Sequence, residues 1–358
     1  MQYNITTWPY FFSPWDLLMG CGLLSSGRRN SVLCGVSSVA GIVSAYILPF
    51  LTMMNLAANI MTSFIFLYAH KSSTRQTVYL GFFAIVDLFY CFILAILYYI
   101  PSRGIPYASN ARFYFFIDYQ SAFSCIAFKY VFSFVCTFRS NMLVITMLDK
   151  YLSIQVPIKY GKLPTRYAWR FILITVLVTI LMILPAYTQF NLVDFNGKYA
   201  CWLKSLTLNW TIYYGLVSEF CPIQILINSI LSVMLLIKVY LWLQRRRHMI
   251  LEVTDENSKE LSACILILFV ASLNIVSSIP GVVAYFLSAF SVFAEDLVTI
   301  LYNLFTALAL RDIFWCLMPS QAVFNTIVYL CRLKYYRKLF ISILKYRNIR
   351  TVASDISE

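Results

Sequence analysis

The sequence predicts an all-α protein: a bundle of seven transmembrane helices followed by a short amphipathic helix. Three observations carry this expectation. Of the 358 residues, 61% are hydrophobic and only 12% are charged, whereas a soluble globule is about a quarter charged. Seven apolar segments, at roughly 42–69, 77–100, 122–154, 168–188, 211–243, 261–289 and 305–331, are each bounded by charge or turn residues. At about 1.5 Å rise per residue each can cross a hydrocarbon core of about 30 Å. Finally, 18 of the 28 Lys and Arg fall in or beside the loops and tail on the carboxyl-terminal side of the membrane, six fall on the other side and four lie within spans. That excess places the amino terminus outside and the carboxyl terminus inside.

The net charge of +13 therefore reads as membrane topology rather than as a nucleic-acid footprint. His70 and His248 are the only histidines, and the ten cysteines form no CxxC pair. A metal site, a cofactor site or a His-based catalytic centre has almost no raw material, so no enzymatic activity, metal or cofactor is expected. A secondary transporter would show inverted repeats and glycine-broken helices, and 11 Gly without either pattern argue against one.

Taken in order, residues 1–39 form an extracellular amino-terminal segment. Asn4 opens a glycosylation sequon there. No basic n-region precedes an apolar stretch, so the first span is expected to act as its own insertion signal. Residues 40–331 are the membrane domain. Asp87 lies ten residues above the inner end of the second helix near Thr77, and Arg139 lies ten residues above Asp149 at the inner end of the third. Ten residues are about 15 Å of helix, so both sit at one depth. An ionisable group there costs about 2.5–3.5 kcal/mol unless partnered, which predicts a buried Asp87–Arg139 salt bridge. Asn196-Gly197 between strand-like arms predicts a hairpin between the fourth and fifth helices. Residues 291–304, interrupted by Glu295 and Asp296, read as an outer loop with a membrane-hugging turn. Residues 332–358 are a cytoplasmic amphipathic helix and tail, in which basic and apolar residues alternate at helical spacing on an anionic leaflet.

Several motifs resemble the rhodopsin-like family of G-protein-coupled receptors. Cys125 stands at the outer end of the third helix, Asp149-Lys150-Tyr151 at its inner end and Pro157 seven residues beyond Lys150. Asn59 and Asp87 are 28 residues apart, as in the family, and Asn325-Thr-Ile-Val-Tyr329 resembles its Asn-Pro-x-x-Tyr motif. Pro222 and Pro280 match its helix-bending prolines. Lys150, Ser278 and Thr326 depart from the usual Arg, Trp and Pro, and Pro319 is expected to supply the bend that Thr326 lacks. The resemblance spans about residues 40–340.

It implies a disulfide between Cys125 and Cys201 on the hairpin's returning arm, while a Cys21–Cys34 pair stays open. It implies that Asp87, where the family commonly binds sodium, has instead a covalently attached cation in Arg139. It also implies a latch between Lys150 and Glu260, weak enough at about 0–1 kcal/mol to be switched. Asn59, Asp87, Arg139, Asn325 and Tyr329 would form the polar core.

Lys129, Phe132, Glu219, Arg311 and Trp315 are the candidate ligand-facing residues. Phe132 stands where the family's amine receptors carry an aspartate, and residues 307–331 lack the lysine that opsins need. The mixed outer charges, Asp118 and Asp312 among them, suit a basic peptide end, and the flavour of the chain is similar to invertebrate FMRFamide-type neuropeptide receptors. The expected function is transmission of an extracellular neuropeptide signal to a heterotrimeric G protein at the plasma membrane. The alternatives are a chemosensory or small-molecule seven-helix receptor and, further off, a transporter.

Overall fold

The computed structural model describes residues 13–20, 31–69, 74–156, 158, 160, 163–195, 198–203, 208–217, 221–248, 255–291 and 297–344. Its seven membrane-spanning helices are α1 (Val32–Ala69), α2 (Arg75–Ala108), α3 (Ala122–Gln155), α4 (Arg166–Pro185), α5 (Ile212–Leu241), α6 (Ser262–Leu287) and α7 (Phe305–Arg332). A further helix, α8 (Lys334–Leu344), follows α7 after one extended residue, Leu333. This is an all-α seven-helix bundle, and the chain is a multi-pass membrane protein. Asn4 and Cys21 lie outside the described residues. Cys34 is disulfide-bonded.

The helices run longer than the apolar segments suggest. The first begins at Ser31, because the stretch after Arg29 carries neither charge nor proline. Pro49 would interrupt it by withholding an N–H, and a π-helical turn over Val43–Ile47, one turn earlier, absorbs the defect. The second continues past residue 100 to Ala108 by the same device, a π-helical run over Phe92–Gly104 that contains Pro101. Gly104 is where α1 and α2 touch, since a Cβ there would lie 2.5 Å from the Ser44 carbonyl oxygen. The stretch expected as an outer loop at 291–304 is corrected in part: the seventh helix already starts at Leu297, its apolar residues simply extending the span. Glu295 and Asp296 are outside the described residues.

Two helices are broken at prolines. The fifth is described over Leu208–Val217 and again from Pro222, and Cys221, directly before that proline, lies in the left-handed region at φ 51°. The Thr137 hydroxyl of α3 donates to the Val217 carbonyl at 2.9 Å, and the Cys221 thiol lies 3.4 Å from the same oxygen. The seventh breaks at Met318-Pro319, between Leu317 and Ser320. Pro280, by contrast, sits inside an unbroken helix over Asp255–Ser291.

Strands β1 (Phe190–Phe195) and β2 (Lys198–Leu203) form an antiparallel hairpin in which Phe195 faces Lys198 and Leu192 faces Cys201. Cys201 is disulfide-bonded to Cys125 at the start of α3, with Cα atoms 5.4 Å apart. The hairpin therefore marks one end of the bundle and α8 the other. At the α8 end Tyr336 is buried against Phe66 and Tyr329, its ring centroid 5.5 Å and 5.6 Å from theirs.

Candidate functional site

The centre of the bundle holds a neutral polar knot. Asp87 of α2 and Arg139 of α3 are 2% and 5% exposed, and the Arg139 Nε donates to Asp87 Oδ1 at 2.5 Å. The Arg139 Nη2 donates to Gln321 Oε1 of α7 at 2.6 Å. The guanidinium also lies 5.4 Å from the Phe83 ring centroid and 5.1 Å from that of Tyr90, faces whose quadrupole favours a cation. A single arginine thus ties three helices together. In hydrocarbon the opposite charge, two charge-assisted bonds and two ring faces replace the water it gave up.

Asn59 stands beside this knot rather than in it. Its Nδ2 donates to Asn55 Oδ1 at 3.0 Å, and Asn55 Nδ2 donates to the Pro319 carbonyl at 2.8 Å. Asn55 therefore braces the break in the seventh helix from α1. Asn325 is buried, and its Oδ1 and the Gln321 Nε2 have no hydrogen-bond partner among the described residues. Tyr329 packs on Phe66 at 5.3 Å. Thr326, which stands where the resemblance expects proline, is 3.3 Å from the Thr62 hydroxyl, itself 2.9 Å from Tyr336 Oη. The departure from the motif thus gives a hydroxyl chain joining α7, α1 and α8.

At the hairpin end the candidate ligand residues are engaged with the protein itself. Lys129 Nζ lies 3.6 Å from Asp118 Oδ2 and 5.2 Å from the Tyr98 ring centroid. Arg103 Nε donates to Asp312 Oδ2 at 3.0 Å, and Tyr99 Oη to Asp312 Oδ1 at 3.2 Å. Asp118 and Asp312, expected to be open to a basic ligand, are instead buried and paired: α2 extends far enough to carry Arg103 to Asp312, and Lys129 of α3 meets Asp118. Burial pushes the Asp118 carboxyl above its ordinary value, against the pull of Lys129 and Arg103. Phe132 and Trp315 are buried together with ring centroids 5.3 Å apart, and Trp315 reaches Tyr90 at 6.2 Å. Both are packed inside one buried aromatic cluster with Tyr90 and Tyr98. Arg311 is half-buried on the same helix, and Glu219 lies outside the described residues.

At the α8 end Asp149 has a partner that the spacing did not suggest. Arg75 Nε lies 3.2 Å from Asp149 Oδ1, and the Tyr160 hydroxyl donates to the same oxygen at 3.2 Å. Burial first, then the Asp149 charge, pushes the Tyr160 phenol up to about 12, so it stays a donor across the physiological range. Lys150 is buried and Tyr151 half-buried. Glu260 lies in the helix over Asp255–Ser291, but its side chain and Pro157 are outside the described residues, so the latch is too. Among the described residues no cluster of three His, Cys, Asp or Glu is placed to hold a metal ion.

No protein-family model matches the chain, and no curated protein matches it.

Proposed function

We propose that this protein is a rhodopsin-like seven-helix receptor that carries an extracellular signal to a heterotrimeric G protein. In this reading the hairpin faces outside the cell and α8 lies on the cytoplasmic leaflet of the plasma membrane. The distribution of basic residues supports that orientation, with 18 of 28 Lys and Arg on the α8 side.

The observation that carries the proposal is the disposition of polar groups along α3. One end is tied by Cys125 to the hairpin, the middle is charge-paired through Arg139 to α2 and α7, and the other end presents Asp149, Lys150 and Tyr151. A ligand that rearranges the Arg103–Asp312 and Lys129–Asp118 pairs would act on α2, α3 and α7 at once. Those are the three helices that meet at Arg139. Outward movement of α6, separating Lys150 from Glu260, would then open the cytoplasmic end.

A peptide is the favoured ligand. Four charged groups of both signs lie at the hairpin end, and a chain of mixed polarity can exchange partners with both pairs, which a lone amine cannot. The buried Phe132–Trp315 contact favours a second reading, a small apolar ligand of the chemosensory kind. The test is G-protein activation in cells expressing the full chain, with surface display verified, against amidated neuropeptides. A saturable response supports the peptide reading. Silence towards peptides with a response to small apolar compounds supports the second, and silence towards both, with a full panel of G proteins, refutes the receptor reading.

A further inference from the structure

The two ion pairs at the hairpin end differ in how well the carboxylate is held. Asp312 has a partner on each oxygen, Tyr99 Oη at 3.2 Å and Arg103 Nε at 3.0 Å. Asp118 is 1% exposed, yet Lys129 Nζ lies 3.6 Å from its Oδ2, and its Oδ1 has no hydrogen-bond partner among the described residues. A charge-assisted bond from nitrogen to a carboxylate is about 2.7–2.9 Å long, so this ammonium stands off. A buried carboxylate with one bare oxygen and one distant cation occupies a place that suits the neutral acid better.

Asp118 lies in the short turn Ile117–Tyr119 before α3. That turn packs on the outer end of α3 and on β2. The Phe116 and Tyr119 rings stack at 5.2 Å and share a buried cluster with Phe190 and the Cys125–Cys201 bridge. The charges that bear on Asp118 are Lys129 of α3 and Arg103 of α2. The other titratable side chains described near the turn on these elements, Tyr98, Tyr99, Tyr119 and Tyr199, are phenols, and neither histidine of the chain belongs to them. Lys129 keeps 17% of its side chain exposed and lies 5.2 Å from the Tyr98 ring centroid. A neutral Asp118 therefore strands no buried cation.

We propose that the Ile117–Tyr119 turn is a proton-operated clasp: protons on the hairpin side of the membrane hold it seated between α3 and the hairpin, and loss of the Asp118 proton releases it towards water. Burial raises the Asp118 carboxyl against the pull of Lys129 and Arg103, so the seated turn binds a proton more tightly than a released one. By linkage acid favours the seated turn, and the balance moves towards release as pH rises through the raised value. The clasp regulates the hairpin end to which the receptor reading assigns the ligand, and that it answers to extracellular pH rests on the orientation in that reading.

The experiment follows hydrogen exchange at the Tyr119 amide, which donates to the Phe116 carbonyl at 3.2 Å and closes the turn. Purified full-length protein in nanodiscs is measured from about pH 5 to about pH 8, as protection factors with the intrinsic pH dependence of exchange divided out. Both faces of a nanodisc meet one buffer, so the result depends on neither the orientation nor the receptor reading, and failure counts against the clasp alone. Wild type is expected to lose protection at least tenfold across this range, the loss that follows when the seated turn holds the proton about tenfold more tightly than the released one. Asp118→Asn, neutral throughout, is expected to stay at the protected level of acid wild type at every pH. Lys129→Gln removes the cation that favours the carboxylate and is expected to move the loss to higher pH.

Protection in wild type that is flat, or that rises with pH, overturns the proposal. A loss that survives in Asp118→Asn belongs to another group and overturns it too. A loss in Lys129→Gln at the same or lower pH overturns the part given to the Lys129–Asp118 pair. Should Asp118→Asn fail to fold, the wild-type loss and its displacement in Lys129→Gln decide, and the absence of either overturns the clasp.

Discussion

Replacing Asp87 by Asn removes the only negative charge that touches Arg139 among the described residues. The Gln321 bond and the faces of Phe83 and Tyr90 remain, but they are present before and after the change and offset none of the loss. Removing one partner of a buried pair costs about 3–5 kcal/mol. Asparagine can still accept one bond from the Arg139 Nε, which puts the expected loss near the low end, about 3 kcal/mol. For a domain of a few hundred residues that corresponds to roughly 6–12 °C in the unfolding midpoint. The double variant Asp87→Asn/Arg139→Leu removes the stranded cation as well, and replacing both partners of a buried pair is often neutral or stabilising. Its midpoint is therefore expected within a few degrees of wild type. The assay is thermal unfolding of the purified protein in detergent, following a thiol-reactive dye on its buried cysteines, read as a double-mutant cycle. A double variant that falls by the sum of the two single effects shows no coupling and refutes the argument that the pair holds the core together.

Two further outcomes follow from the ends of the bundle and from its broken helix. Asn55→Leu strands both the Pro319 carbonyl and the Asn59 amide, at about 1–3 kcal/mol for each unpaired group. It should lower the unfolding midpoint more than Asn59→Leu, and equal losses would show that Asn55 does not brace the break. Asp118 holds its proton more tightly in the folded chain than in the unfolded one, because burial raises its carboxyl above 3.8 despite Lys129 and Arg103. Its contribution to stability is thus greatest at low pH and is lost as pH rises through the raised value. The difference in midpoint between wild type and Asp118→Asn should shift in favour of wild type as pH falls from 7 towards 4, and the opposite slope would refute the assignment.

The readings that the structure matches rest on counting along uninterrupted helix. Asp87 and Arg139 lie at equal heights because ten residues of α2 and ten of α3 are both regular. The Cys125–Cys201 disulfide, which the family resemblance implied, is present, and Cys201 pairs with Leu192 in the strand register. Several of the misses have one cause, which is that proline changes the count. Arg103 lies beyond Pro101, past the end of the apolar segment at 77–100, so its pairing with Asp312 was not legible and Asp312 read as an open acid. The π-helical run lets the helix pass Pro101 and turns Arg103 inward. Gln321 lies two residues after Pro319, where the break sets its rotation, so its approach to Arg139 could not be counted from Asn325. Its one legible trace was a polar side chain one turn before Asn325 on the same face. The contacts of Arg75 were not legible at all, because bonds to the carbonyls of Tyr160 and Leu163 carry no side-chain signature.

The break in the seventh helix has a mechanical consequence. A continuous rod transmits displacement along its axis, while a rod cut at Pro319 behaves as two arms about a fulcrum. Asn55 of α1 sits at that fulcrum. The arm towards the hairpin carries Asp312 and Trp315, and the arm towards α8 carries Gln321, Thr326 and Tyr329. A small sideways push on the first arm is returned as a swing of the second, with its direction set by α1 rather than by the membrane.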